Sequence, residues 1–228
     1  MIRALVLLLF LVMSAPAAAQ ATGAPATLFT NVRVFDGKSG TVSGPAHVLV
    51  QGNRIARISP APITPPPGAV VIDGQGRTLM PGLIDVHWHA MLVRPTPAQA
   101  MTADVGYSNL LAGAEATDTL MRGFTTVRDL GGPSFGLKRA IDEGIVVGPR
   151  IYPSGAVITV TSGHGDFRLK HELPRTIGGP LSRMEQIGGS MVADSPDEVR
   201  VRVADGLDVD DARVILDGIL EHLRAVVH

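Results

Sequence analysis

The sequence predicts an α/β protein in which a small sheet of short strands precedes a parallel sheet built from strand–helix units. Two observations carry this. From Leu28 to Met80 short apolar runs alternate with tight turns, and from Gly82 onward apolar strands alternate with amphipathic helices. With 45% hydrophobic residues among 228, the chain has enough apolar side chain to build a core.

The elements follow in order. A strand over 28–35 leads through a turn at 36–40 to a strand over 46–51, and Gly52-Asn53 turns the chain into a third strand over 54–58. This rhythm is that of a small antiparallel sheet. Prolines crowd residues 60–68, which makes them a surface loop. Short strands at 70–72 and 78–80 flank a turn at 73–76. Residues 83–87 then read as a buried strand. A helix is expected over 108–122, with Ser108 as N-cap, Leu110, Ala114 and Met121 near one face, and Gly123 as its stop. A strand over 124–130, a helix over 135–143 with Leu137, Ala140 and Ile141 inward, and a strand over 150–154 continue the alternation, which implies a parallel sheet. Residues 155–194 show no period and many glycines, and a stretch this long without regular structure is usually functional. Ser195-Pro196-Asp197-Glu198 opens a helix with a capping box, and an amphipathic helix is expected over 211–227.

The first residues address the compartment. Arg3, an apolar run from Ala4 to Met13 and small residues at Ala17 and Ala19 form the pattern of a signal peptide over 1–19, cleaved near Ala19. The run falls short of the roughly 20 apolar residues that span a bilayer. The expected location is therefore secreted or periplasmic, with no membrane attachment after cleavage. A net charge of −1 argues against nucleic-acid partners, which demand a basic face. The absence of cysteine excludes disulfides and thiol catalysis.

The sharpest chemical feature is the string Pro81-Gly82-Leu83-Ile84-Asp85-Val86-His87-Trp88-His89. In a regular strand, residues two apart share a face. His87 and His89 then project together with Asp85 below them, while Ile84, Val86 and Trp88 turn towards covering helices. Two adjacent imidazoles at the end of a parallel strand begin a metal site, since neutral imidazole is a zinc donor and a catalytic zinc takes three protein ligands and a water. Taken alone, the pair is weak evidence, and it also reads as two polar residues at a strand end satisfied by water.

The strings around this pair resemble the amidohydrolase superfamily, in its imidazolonepropionase-like and prolidase-like branch. They are Phe35-Asp36-Gly37, Gly52-Asn53-Arg54-Ile55, Ile72-Asp73-Gly74-Gln75-Gly76, Leu79 to Asp85 with His87 and His89, and Gly123 to Asp129. Ser162-Gly163-His164-Gly165-Asp166 and Ser195 to Arg200 complete the set. The resemblance implies a (β/α)8 TIM-type barrel with a small β-sandwich. Here it would be an incomplete barrel, with residues 26–81 as the first part of the sandwich and 82–228 as the first part of the barrel. It implies His87 and His89 as first-strand ligands of a divalent metal, most often zinc, and Asp85 as an acid that orients them. It implies hydrolysis of an amide, peptide or cyclic amide bond through a metal-activated water. The substrate would be a small molecule or dipeptide. His164, in the long glycine-flanked loop, reads as a surface histidine on sequence alone and, by the resemblance, as a candidate substrate contact. Arg128 and Asp129 read equally as a structural ion pair or as substrate contacts. His47, His171, His222 and His228 belong to no constellation.

The chain departs from the family pattern in its later part. The family's metal-bridging lysine has no counterpart, since the lysines are Lys38, Lys138 and Lys170. From Gly82 to His228 the chain is shorter than the about 250 residues of a full barrel. The expectation is an N-terminal fragment that is inactive alone. The alternatives are a non-catalytic remnant, or a complementing half that closes the barrel with another chain. No catalytic residue is identified in it, and its oligomeric state is left open.

Overall fold

The computed structural model describes residues 24–206. The signal peptide expected over 1–19 and the helix expected over 211–227 both lie outside them. The described residues divide after Met80 into two compact units. Among the described residues no helix is long and apolar enough to cross a membrane.

The first unit is one sheet. It contains β1 (Ala26–Val34), β2 (Ala46–Gln51), β3 (Arg54–Ser59), β4 (Val70–Asp73) and β5 (Thr78–Leu79). The order is β3-β2-β1-β4, with β5 also on β1. The sheet is mixed rather than antiparallel, because β4 and β5 run parallel to β1. The reason is the proline-rich loop over 60–69. Two hairpin turns leave β3 running in the direction of β1, and the loop carries the chain over to the free side of β1 without reversing it. Leu28, Val32, Ala46, Val48 and Leu49 are buried here.

A bulge in β1 explains how it serves both later strands. The pairing with β2 slips between Phe29 and Val32, and Asn31 adopts φ 51°. Residues 27–30 pair with β4, and Arg33 and Val34 pair with β5. The turn between β4 and β5 seats on the bulge, with Gly74 N–H donating to Thr30 O at 2.7 Å and Gly76 N–H to Asn31 O at 2.8 Å. Gly74 has to be glycine, since a Cβ there would lie 2.3 Å from Val32 Cγ1.

The second unit is built on three parallel strands, β6 (Leu83–Trp88), β7 (Phe124–Asp129) and β8 (Arg150–Pro153), in that order. Two helices precede β7: α1 (Pro97–Thr102), which the sequence reading missed, and α2 (Val105–Met121). Thr96 and Gln99 form a capping box on α1. The cap of α2 is Asp104, which accepts the Tyr107 N–H, rather than Ser108, which lies one turn inside. Its buried face is Ser108, Ala112, Glu115, Ala116 and Thr119, whereas Leu110 and Met121 are exposed. Small side chains face the sheet because they allow close approach. The buried Glu115 is paired with Arg94 and Arg122. Gly123, at φ 98°, ends the helix as expected.

The next helix, α3 (Phe135–Asp142), packs on β8, and α2 packs on β7. The core unites Trp88, Ala90, Met91, Ala112, Ala116, Val127, Leu137 and Ile151. The stretch that lacked a period holds short elements: β9 (Val157–Thr159), a 3-10 turn over Arg175–Ile177, α4 (Arg183–Gln186) and β10 (Ser190–Val192). β9 and β10 form a separate parallel pair. The last described helix is α5 (Pro196–Gly206). Ser195 Oγ accepts the Glu198 N–H as expected, but the Glu198 carboxylate reaches the Asp194 N–H instead of closing the box on Ser195.

Candidate metal centre

β6 is not the buried strand its apolar residues suggested. Ile84 is 46% exposed and Val86 71%, whereas Trp88 is 5%. The two helices cover β7 and β8, so only the end of β6 reaches the core. Regular alternation also breaks. Asp85 pairs with Val127 and Trp88 with Asp129, which leaves an extra residue on β6 between them. The Asp85 carboxylate accepts the His87 N–H at 2.9 Å and so pins the backbone at this irregularity. Asp85 thus acts on the main chain beneath His87. His89 lies one residue beyond the strand.

The two histidines nevertheless come together. Their ring centres are 5.3 Å apart, with the planes at 72°. A metal about 2.0–2.1 Å from one nitrogen of each ring, at a roughly tetrahedral angle, would place the ring centres about 5 Å apart. The spacing therefore suits two donors of one metal ion. His89 Nδ1 lies 3.2 Å from the carbonyl oxygen of Gly131, so a metal would meet this ring at Nε2. His87 is exposed and His89 half-buried. Among the described residues, no group of three His, Cys, Asp or Glu side chains assembles that could hold a metal.

Asp129 and Arg128 do not pair with each other. Asp129 is fully buried at the end of β7 and accepts the N–H of Ala90 through Oδ2 and of Gly131 through Oδ1, each at 3.0 Å. Burial pushes its carboxyl above the ordinary value of 3.8, against the pull of those two N–H groups. Arg128 donates to the carbonyls of Tyr152 and Pro153 at the end of β8. An acid closing a core strand just before two glycines was the sequence trace of this arrangement.

His164 stands exposed on the turn after β9. The glycines beside it serve packing on β9. A Cβ on Gly163 would meet Thr159 Oγ1 at 2.4 Å, and one on Gly165 would meet Val157 Cγ1 at 2.7 Å. The turn is braced by Asp166, which accepts the Ser162 N–H at 2.7 Å and the Arg168 guanidinium at 2.5 Å. The Arg168 guanidinium holds the Asp166 carboxyl below its ordinary 3.8. A lowered folded value means stabilisation that is present above the unfolded value and lost as pH falls through the folded one. Asp166→Asn is therefore expected to cost about 1.5–3 kcal/mol at neutral pH, as for a hydrogen bond to a charged group. Its unfolding midpoint should converge with that of the wild type as the pH falls through the folded value, which lies below 3.8. Denaturant titrations across that range check this, and a gap that persists in acid would remove the ion pair as its cause.

Residues 78–221 match the amidohydrolase family. The structure resembles a prolidase crystallised with N-methylphosphonate-L-proline, with a TM-score of 0.67 and 31% identity, over 82% of this chain and 44% of that one. It also resembles a Xaa-Pro dipeptidase with methionine in its active site, with a TM-score of 0.65 and 30% identity, over 82% of this chain and 45% of that one. An ochratoxinase of Aspergillus niger is 34% identical over 39% of this chain and 19% of its own length. The chain spans less than half the length of these relatives.

Proposed function

Because the chain belongs to the amidohydrolase family, we propose that it carries the first two metal ligands, His87 and His89, of a zinc-dependent hydrolase that cleaves a C–N bond in a small substrate. The observation that carries this is the meeting of the two imidazoles at the C-terminal end of a parallel strand, 5.3 Å between ring centres. Barrel enzymes place their active sites at that end. A divalent metal held there supplies a Lewis acid that polarises a carbonyl and makes a water acidic. The chain's own part is to present the donors. Asp85 holds the main chain at His87, and the Gly131 carbonyl holds the His89 ring. Xaa-Pro dipeptides are the first substrate class, by likeness to the prolidase and the dipeptidase, and N-acylated amino acids offer the same kind of C–N bond. His164 is kept as a candidate contact to such a substrate.

The barrel belongs to the same proposal. β6 and β8 are the outer strands of their sheet, and Leu83, Ile84 and Val86 stand exposed on β6. Further strands beside them, in the same polypeptide or another, would close the barrel and bring the remaining ligands. The first unit would be part of the sandwich, and export through the leader at 1–19 would place the enzyme in the periplasm or outside the cell. The test is hydrolysis of a panel of Xaa-Pro dipeptides and N-acyl amino acids with added zinc. The chain is assayed alone and joined to the remaining half of a prolidase. Turnover is expected from the joined protein only, and it should vanish with chelator. A joined protein that folds and binds zinc but cleaves no C–N bond would sink the reading.

A further inference from the structure

We propose that Asp129 is a positioning residue that sets the tautomer of His89, holding the proton on Nδ1 and leaving Nε2 as the free donor. The use of that donor rests on the metal reading above. Its geometry does not. One Asp129 oxygen accepts the N–H of Ala90, the residue after His89. The other accepts the N–H of Gly131, whose carbonyl faces His89 Nδ1 at 3.2 Å. A single planar carboxylate thus fixes the main chain on both sides of the ring contact. Because a carbonyl oxygen only accepts, the ring nitrogen facing it has to carry the hydrogen.

Asp129 is itself held in place. Ser154 donates to the Asp129 carbonyl from its N–H at 2.9 Å and its hydroxyl at 2.8 Å. The Leu130 N–H continues the ladder to the Trp88 carbonyl at 2.9 Å. Gly131 has little room to shift, since a Cβ on it would sit 2.2 Å from Val157 Cγ2. A buried carboxylate is the residue type this task demands. The two N–H groups meet different oxygens of it, and an amide would put a competing donor in place of one of them. In Asp129→Asn one of the two anchors is lost, and the Gly131 carbonyl is released from its position against His89. In water a neutral histidine favours the proton on Nε2, the nitrogen a metal would need.

The test is nitrogen-15 NMR of the metal-free protein above the histidine titration range, with the His89 signals assigned by their loss in His89→Ala. The wild type is expected to show Nδ1 protonated and Nε2 bare. Asp129→Asn is expected to show mixed tautomers and a zinc affinity about 10–100-fold lower, the usual loss on removing a partner behind a ligand. Wild-type His89 protonated on Nε2 overturns the proposal. So does a folded Asp129→Asn that keeps the wild-type tautomer. If Asp129→Asn does not fold, the wild-type tautomer decides. Zinc that leaves the His89 Nε2 signal unmoved, with the tautomer as expected, supports the role of Asp129 and removes His89 from the metal site.

Discussion

Replacing His87 and His89 together by alanine is expected to abolish zinc binding by this chain. The wild-type chain should bind one zinc, and a chelator should strip it easily. Two imidazoles supply half of a four-coordinate set, and among the described residues no third ligand joins them. The binding energy should then fall well short of the about 10–16 kcal/mol of a complete structural zinc site. Each single substitution leaves one imidazole, whose affinity for zinc is little better than that of a free histidine, so either change alone should remove most of the binding. Calorimetric titration of the wild type and the three variants measures this. Stoichiometric zinc surviving dialysis against chelator in the wild type would show that further ligands take part. Zinc retained by the double variant would put the site elsewhere.

Trp88→Ala is expected to destabilise the second unit by about 3–5 kcal/mol, the usual cost of deleting a large buried aromatic. Trp88 is 5% exposed and shares one core with Ala112 and Ala116 of α2, Val127 of β7 and Ile151 of β8. The small alanines of α2 leave the space that the indole fills, and removing the ring leaves a cavity they cannot collapse into. Trp88 also lies between the two histidines in sequence, so the loss should loosen their pairing and weaken zinc binding. Val86→Ala is the control. Two residues away on the same strand but 71% exposed, it should cost less than about 0.5 kcal/mol. Chemical denaturation of both variants checks the contrast. Equal costs would mean that the helix layer covers the whole of β6.

The local pattern of the chain was enough to place most elements to within a few residues. The positions of β1 to β8, the stop of α2 at Gly123 and the extent of α3 follow from apolar runs, turn residues and caps, which act over a few residues. The meeting of His87 and His89 was legible for the same reason, as two side chains two residues apart at a strand end. The family was legible in the strings around them.

Tertiary structure decided what depends on distant partners. The direction of β4 relative to β1 was set by a loop crossing that leaves no trace in either strand. The buried face of α2 was set by which side met β7, and there small residues won over Leu110 and Met121 because close approach favours them. The pair β9 and β10 is too short to show a period, and each strand exists through the other, some thirty residues away. The role of Asp129 was the least visible. A carboxylate in sequence is only a charge. It became an anchor for Ala90 and Gly131 once β6 and β7 lay side by side and burial left those two N–H groups with no water to turn to.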